Sequence, residues 1–263
     1  MGLIRTLIAS LFGERRTAIG NGVWRAVIDA IPILGGLDVD EDARLRKLTE
    51  RLLTSKRFEL VQDAEADDFL LVGLAAQVCL PIMNLGLGGY RDWHTLILYP
   101  AEFVAPRHEV DEAGVHHEWE EELTGEAWED GPVILSLADV GASGMCDGYN
   151  VIVHEMAHKL DLLDGDANGF PPLHADMDGQ AWHDALSQAF DSLTRTVDRG
   201  REPPIDDYAA TDSAEFFAVA TEYFFELPAV LNEAYPAVYS QLVSYYRQDP
   251  GARLVSDWRA ASA

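Results

Sequence analysis

The chain has 263 residues, 48% of them hydrophobic and 24% charged, with 45 acidic against 19 basic side chains. That is enough sequence for one large domain or two small ones, and too much apolar content for a disordered chain. The formal net charge of −26, with no basic run among the arginines and lysines, argues against nucleic acid or an anionic membrane as a direct ligand, since both repel an acidic surface.

Residues 1–12 are mildly apolar, but Arg5 interrupts them, Glu14-Arg15-Arg16 follows, and no small-x-small cleavage site comes after. The segment is not expected to be a secretion signal. The two cysteines, Cys79 and Cys146, supply no disulfide framework, so the expected compartment is the cytoplasm. Residues 1–35 are taken as an N-terminal extension with no assigned element, and 36–263 as a single domain.

Residues 38–60 read as one amphipathic helix, with Leu45, Leu48, Leu52 and Leu53 on one face. Residues 69–87 carry no formal charge over about the length of a bilayer span. Gln77, Pro81, Asn84 and the glycines break that stretch, which predicts a buried helix over 69–80 stopped near Pro81 and no membrane span. After a turn at 86–89, residues 93–99 form a short strand ended by Pro100, and 115–119 and 127–137 read as strands separated by Thr124-Gly125. A helix over 148–163 ends at Asp164-Gly165, a loop rich in Gly, Asp and Pro runs to Pro172, and helices resume over 179–197, 211–227 and 229–248. Helices at both ends around a small set of strands define the class as α+β.

His154-Glu155-Met156-Ala157-His158 is an H-E-x-x-H sequence within the predicted helix 148–163. Residues four apart share a helix face, so both imidazoles can reach one ion, and Glu155 projects beside them, where an activated water would sit. Neutral imidazole suits zinc, and a catalytic zinc site keeps one position open. The apolar flanks, Val151-Ile152-Val153 and Leu160-Leu162-Leu163, bury one side of the helix. Two histidines around a glutamate on such a helix are hard to explain as packing.

A third ligand is needed, and three carboxylates compete. Asp164 stands six residues after His158, but the glycine that turns the chain in H-E-x-x-H-x-x-G-x-x-(H/D) proteases is Asp161 here. Glu215 and Glu222 lie seven residues apart on the later helix, on nearly the same face. Glu215 also reads as the partner of Asp212 in a capping box, and Glu222 as a carboxylate supporting a ligand. Spacing leaves the choice open. His116 and His117, adjacent on a strand, point to opposite faces and do not chelate one ion. His174 and His183 read as surface residues, Cys146 lacks partners for thiol catalysis, and Phe216, Phe217, Tyr223, Phe224 and Phe225 read as core.

Asn150-Val-Ile-Val-His-Glu-Met-Ala-His-Lys-Leu-Asp161 and Ile205-Asp-Asp-Tyr-Ala-Ala-Thr-Asp-Ser-Ala-Glu-Phe-Phe-Ala-Val219, with Thr221-Glu-Tyr-Phe-Phe225, resemble the Mlc titration factor A family. These are bacterial zinc peptidases of the gluzincin type with a core similar to that of anthrax lethal factor. The resemblance also takes in Cys79-Leu-Pro-Ile82, Leu98-Tyr-Pro-Ala101, Gly131-Pro-Val-Ile-Leu135 and Tyr245-Tyr-Arg-Gln-Asp-Pro250. It implies a zincin-like core, one zinc ion held by His154, His158 and Glu215, Glu155 as catalytic base and Tyr208 as stabiliser of the oxyanion. Asp161 and Glu222 then become carboxylates that support the site from behind. The implied activity is aminopeptidase-like hydrolysis of peptides, with 133–137 as an edge strand for an extended substrate. The family also implies a repressor protein similar to Mlc as a partner. A non-catalytic protein that sequesters such a repressor, or an inactive fold stabilised by zinc, are the competing readings. Ten acidic residues and no Lys or Arg fall within 109–130, a solvated acidic loop or an attractor for cationic substrates.

Overall fold

The structure, a computed structural model, describes residues 18–110, 116–123, 125–127 and 131–254, and within 103–123 the backbone alone. The readings of residues 1–17, and those of side chains in the acidic segment 109–130, lie outside the described residues apart from Gly125 and Ala127. The class is α+β, as the order of elements implied: a small mixed sheet and a motif helix between mainly helical N- and C-terminal parts.

The first helix, α1 (Asn21–Ala30), belongs to a segment to which the sequence assigned no element. Trp24 and Val27, three residues apart and on one face, are fully buried, and the Trp24 indole N–H donates to Asp42. The next helix, α2 (Val39–Ser55), opens with a complete capping box: the Asp38 carboxylate accepts from the Asp40 and Glu41 N–H groups, and Glu41 reaches back to the Asp38 N–H. It ends five residues earlier than expected, because Arg57–Leu60 leaves the helix to form strand β1, with the Arg57 N–H donating to the His94 carbonyl. Helix α3 (Asp68–Cys79) is buried all round from Leu71 to Cys79, and its 12 residues stop before Pro81 as expected. No helix among the described residues is long and apolar enough to cross a membrane.

Strands β2 (Thr95–Tyr99), β5 (Gly125–Ala127) and β6 (Val133–Ser136) join β1 in a four-stranded sheet of order β1-β2-β6-β5. The first three positions pair in parallel, with Leu96 opposite Val133, and β5 runs antiparallel with Ala127 opposite Val133. Strands β3 (Phe103–Val110) and β4 (His116–Leu123) form a separate antiparallel ribbon between β2 and β5. Two expectations are corrected here. Residues 127–137 are not one strand, since Gly131-Pro132 separates β5 from β6. Nor is 133–137 an edge: β6 is hydrogen-bonded on both sides, and among the described residues the sheet's edges are β1 and β5.

After a short helix α4 (Leu137–Ala142) comes the motif helix α5 (Val151–Asp161), continued by a 3-10 turn over Leu162–Asp164 and ended at Gly165, whose φ of +118° suits glycine. Helices α6 (Gly179–Asp198) and α7 (Ser213–Glu226) match the expected spans closely. The expected helix 229–248 is instead two, α8 (Pro228–Ala234) and α9 (Pro236–Tyr246). Pro236 lacks the N–H that would continue α8, and Tyr235 before it is not helical. Phe216, Phe217, Phe224 and Phe225 of α7 are buried with Trp182, Tyr245 and Tyr246, so these four are core as expected, while Tyr223 is only partly buried and packs against the core's border. Trp182 and Tyr245 have ring centroids 5.5 Å apart.

Candidate metal centre

Helix α5 buries Val151, Ile152, Val153, Met156, Ala157 and Leu160, while His154 and His158, four residues apart, are left partly exposed. Helix α7 packs against α5 and is started by Asp212, whose carboxylate accepts from the Ala214 and Glu215 N–H groups. That start places Glu215 opposite the histidines. The two Nε2 atoms lie 3.1 Å apart, and Glu215 Oε2 lies 3.1 Å from His154 Nε2 and 3.4 Å from His158 Nε2.

Three lone-pair atoms facing one another at this distance call for a cation between them. The His154 Nδ1 is 2.8 Å from Glu222 Oε1, which places a proton on Nδ1 and turns Nε2 towards Glu215 and His158. Glu215 Oε2 is buried and receives no well-directed hydrogen bond, although both imidazoles are near. Ligands about 2.0–2.1 Å from a tetrahedral ion stand about 3.3 Å from each other, so the donor set fits such an ion. Among the described residues this is the one group of His, Cys, Asp and Glu side chains placed to hold a metal. Without a metal, a proton takes the place of the cation on this cluster. Burial alone lowers the His154 pKa, yet the Glu215 and Glu222 carboxylates more than reverse this and hold it well above 6.5. Burial opposes the Glu215 charge too, and the two imidazoles bring its carboxyl well below the usual range.

Glu155 is 5% exposed and lies under strand β5: a Cβ built on Gly125 would stand 2.6 Å from its Oε1. Tyr208 sits in a 3-10 turn (Asp207–Ala210) held by Asp206, whose carboxylate accepts the Tyr208 N–H. Its ring centroid is 6.1 Å from that of His154, and at 52% exposure it borders the open side of the cluster. Asp161 is fully buried, its Oδ2 accepting from the Gly169 N–H at 2.7 Å, so it supports the loop after the helix. Burial raises its pKa to about 6. Asp164 lies in the turn beyond α5 and outside the metal group.

The chain matches the family described as glucose-regulated metallo-peptidase M90 over residues 13–247. It is 40% identical over 230 residues to Mlc titration factor A of Salmonella arizonae, covering 86% of this chain and 90% of the relative. It is 37% identical over 233 residues to the protein of that name in Cronobacter sakazakii, covering 88% of each. The chain belongs to the M90 metallopeptidase family. Membership in M90 implies a metal cofactor, and the cluster of His154, His158 and Glu215 is where this chain can hold one. The matched span includes α1 and every element of the cluster.

Sequence reasoning missed several residues that shape this M90 site. Gly125 roofs Glu155, the Lys159 ammonium donates to the Gly131 carbonyl beside the β5–β6 connection, and Asn150, Gln77 and Glu226 form a buried polar group behind the ligands. The available signal was a buried asparagine directly before an apolar helix, which reads as a cap and reveals no other partner.

Proposed function

We propose that this M90 member is a cytoplasmic, aminopeptidase-like zinc peptidase with its site in a single domain over 36–263, against which α1 packs. His154, His158 and Glu215 hold one zinc ion, Glu155 is the general base and acid, and Tyr208 stabilises the oxyanion. The observation that carries the reading is the convergence of two imidazole nitrogens and one carboxylate oxygen, 3.1–3.4 Å apart, on one point. Zinc, when bound, supplies Lewis acidity and brings the pKa of a water towards about 7.

The chain's own residues do the rest. Glu155, buried beside the histidines, takes the proton from the attacking water and passes it to the departing amine. The Tyr208 hydroxyl, on the exposed side, donates a hydrogen bond to the oxygen that gains charge. Glu222 holds the His154 imidazole in one tautomer. Among the described residues strand β5 ends the sheet next to Glu155, and an extended peptide can pair with its outer edge, the role expected of 133–137.

The deciding experiment measures zinc content and the cleavage of a panel of aminoacyl chromogenic substrates, with and without chelator. Turnover that chelator removes and zinc restores is expected. A zinc-loaded protein that cleaves none of the panel sinks the peptidase reading and leaves the second one. That second reading rests on the relatives' name, Mlc titration factor A: the chain binds a repressor similar to Mlc and reaches transcription through that protein. Its net charge of −26 supports a protein partner over DNA.

A further inference from the structure

Helices α5 and α7 supply the three residues of the cluster, so the cluster exists only when the two are in register. Each end of α5 is tied to α7. At the far end, Asp161 holds the Gly169 N–H, and Gly169 lies so close to the start of α7 that a Cβ on it would meet the Ser213 carbonyl at 2.4 Å. At the near end stands Asn150, fully buried, with every polar group in use. Its Oδ1 accepts from the Val153 N–H at 2.9 Å, and its Nδ2 donates to Gln77 Oε1 of α3 at 2.9 Å and to Glu226 Oε1 of α7 at 2.8 Å. Its backbone N–H donates to Glu222 Oε2 at 2.5 Å, while Oε1 of that same carboxylate meets the His154 imidazole.

Capping explains only the first of these bonds. Aspartate and serine cap a helix about as well as asparagine, yet neither offers two N–H donors. The amide is what reaches two other helices at once. Those bonds fix the Asn150 backbone, with φ −155° and ψ 91°, so that its N–H aims at Glu222. Glu222 in turn orients the imidazole that faces the metal position.

We propose that Asn150 is a positioning residue for the metal centre. Its side-chain amide locks α5 against α3 and α7, and through Glu222 it sets the orientation of His154. This inference rests on the zinc reading above.

The test compares zinc affinity, by chelator competition, for the full chain and for Asn150→Ser, Glu222→Gln and the double variant. The melting temperature of each metal-free protein serves as the fold control. Serine keeps the cap and removes both amide donors. Each single change is expected to weaken zinc binding about 10–100-fold. The double variant is expected to be no worse than the weaker single by more than about threefold, because both act through one carboxylate. Additive losses overturn the inference, as does an Asn150→Ser affinity equal to that of the unaltered chain. An unaltered chain that binds no zinc overturns the zinc reading itself, a different result. Should Asn150→Ser fail to fold, Asn150→Asp combined with Glu226→Gln exchanges amide and carboxyl towards α7, and Gln77, by turning its amide, donates its own N–H to the new carboxylate and keeps the bond to α3. That pair is expected to bind zinc within about threefold of the unaltered chain, and a larger loss overturns the inference.

Discussion

At the scale of single residues, Glu155 and Tyr208 border the same cluster but differ in setting. Glu155 is buried under β5 with His154 and His158 on its own helix, whereas Tyr208 is half exposed on a turn pinned by Asp206. The proposed roles translate these settings into separable defects. Glu155→Gln preserves shape and removes the base, so kcat is expected to fall about 10²–10⁴-fold with zinc content unchanged. Tyr208→Phe removes one donor to the developing charge, with an expected loss of about 10²–10³ in kcat and little change in KM. Steady-state kinetics with metal analysis reads both, and an unimpaired Glu155→Gln enzyme contradicts the mechanism. Glu155 stood out in the sequence through the H-E-x-x-H spacing, whereas Tyr208 was marked only by the family resemblance. Gly125 gave no such signal, since its importance is the absence of a side chain. Gly125→Ala places a methyl group against the Glu155 carboxylate, so turnover is expected to drop while zinc content holds.

The elements show which physical rules a single sequence makes visible. Helix α3 was legible because a run of apolar residues between Asp67 and Pro81 has one economical fate, a buried helix with a cap and a stop. Pro236 lies inside the helix expected over 229–248 on its helical period, and backbone geometry won: α8 ends before it. The edge strand could not be read, because β5 is only Gly125–Ala127, and whether β6 lies inside depends on its pairing with β2, where Leu96 stands opposite Val133 far along the chain. The polar group joining α3, α5 and α7 was hidden for the same reason, as Gln77, Asn150 and Glu226 are distant in sequence. Burial pushes the Glu226 pKa up to about 7, against about 4.5 for a free glutamate. The folded chain therefore keeps a proton that the unfolded chain releases, and stability present below about pH 4.5 is lost as pH rises towards about 7. Glu226→Gln does not titrate, so its loss of stability between about pH 5 and about pH 8 is expected to be smaller by roughly 1–3 kcal/mol, measured by urea unfolding at both pH values.

For the whole molecule, the question is whether the ion holds the fold or the fold holds the ion. The buried core runs from Ile19 to Tyr246 and joins α1, α2, α3, the sheet and the aromatic cluster of α6, α7 and α9. Among the described residues, the proposed ligand atoms are three at one edge of that core, and α5 and α7 are already tied at both ends by Asn150 and Asp161. A domain of this size buries most of its surface without help, unlike small zinc modules that unfold when the metal leaves. Chelation is therefore expected to abolish turnover and leave the far-UV circular dichroism at 25 °C unchanged. Binding to the folded state alone adds about 4 kcal/mol when free zinc is about a thousand times Kd, so the metal-free chain is expected to melt roughly 8–16 °C lower. Both readouts come from one titration: activity and melting temperature followed as zinc is returned. A chain that unfolds at 25 °C on chelation instead identifies zinc as a structural element, the competing reading of an inactive fold held together by its metal.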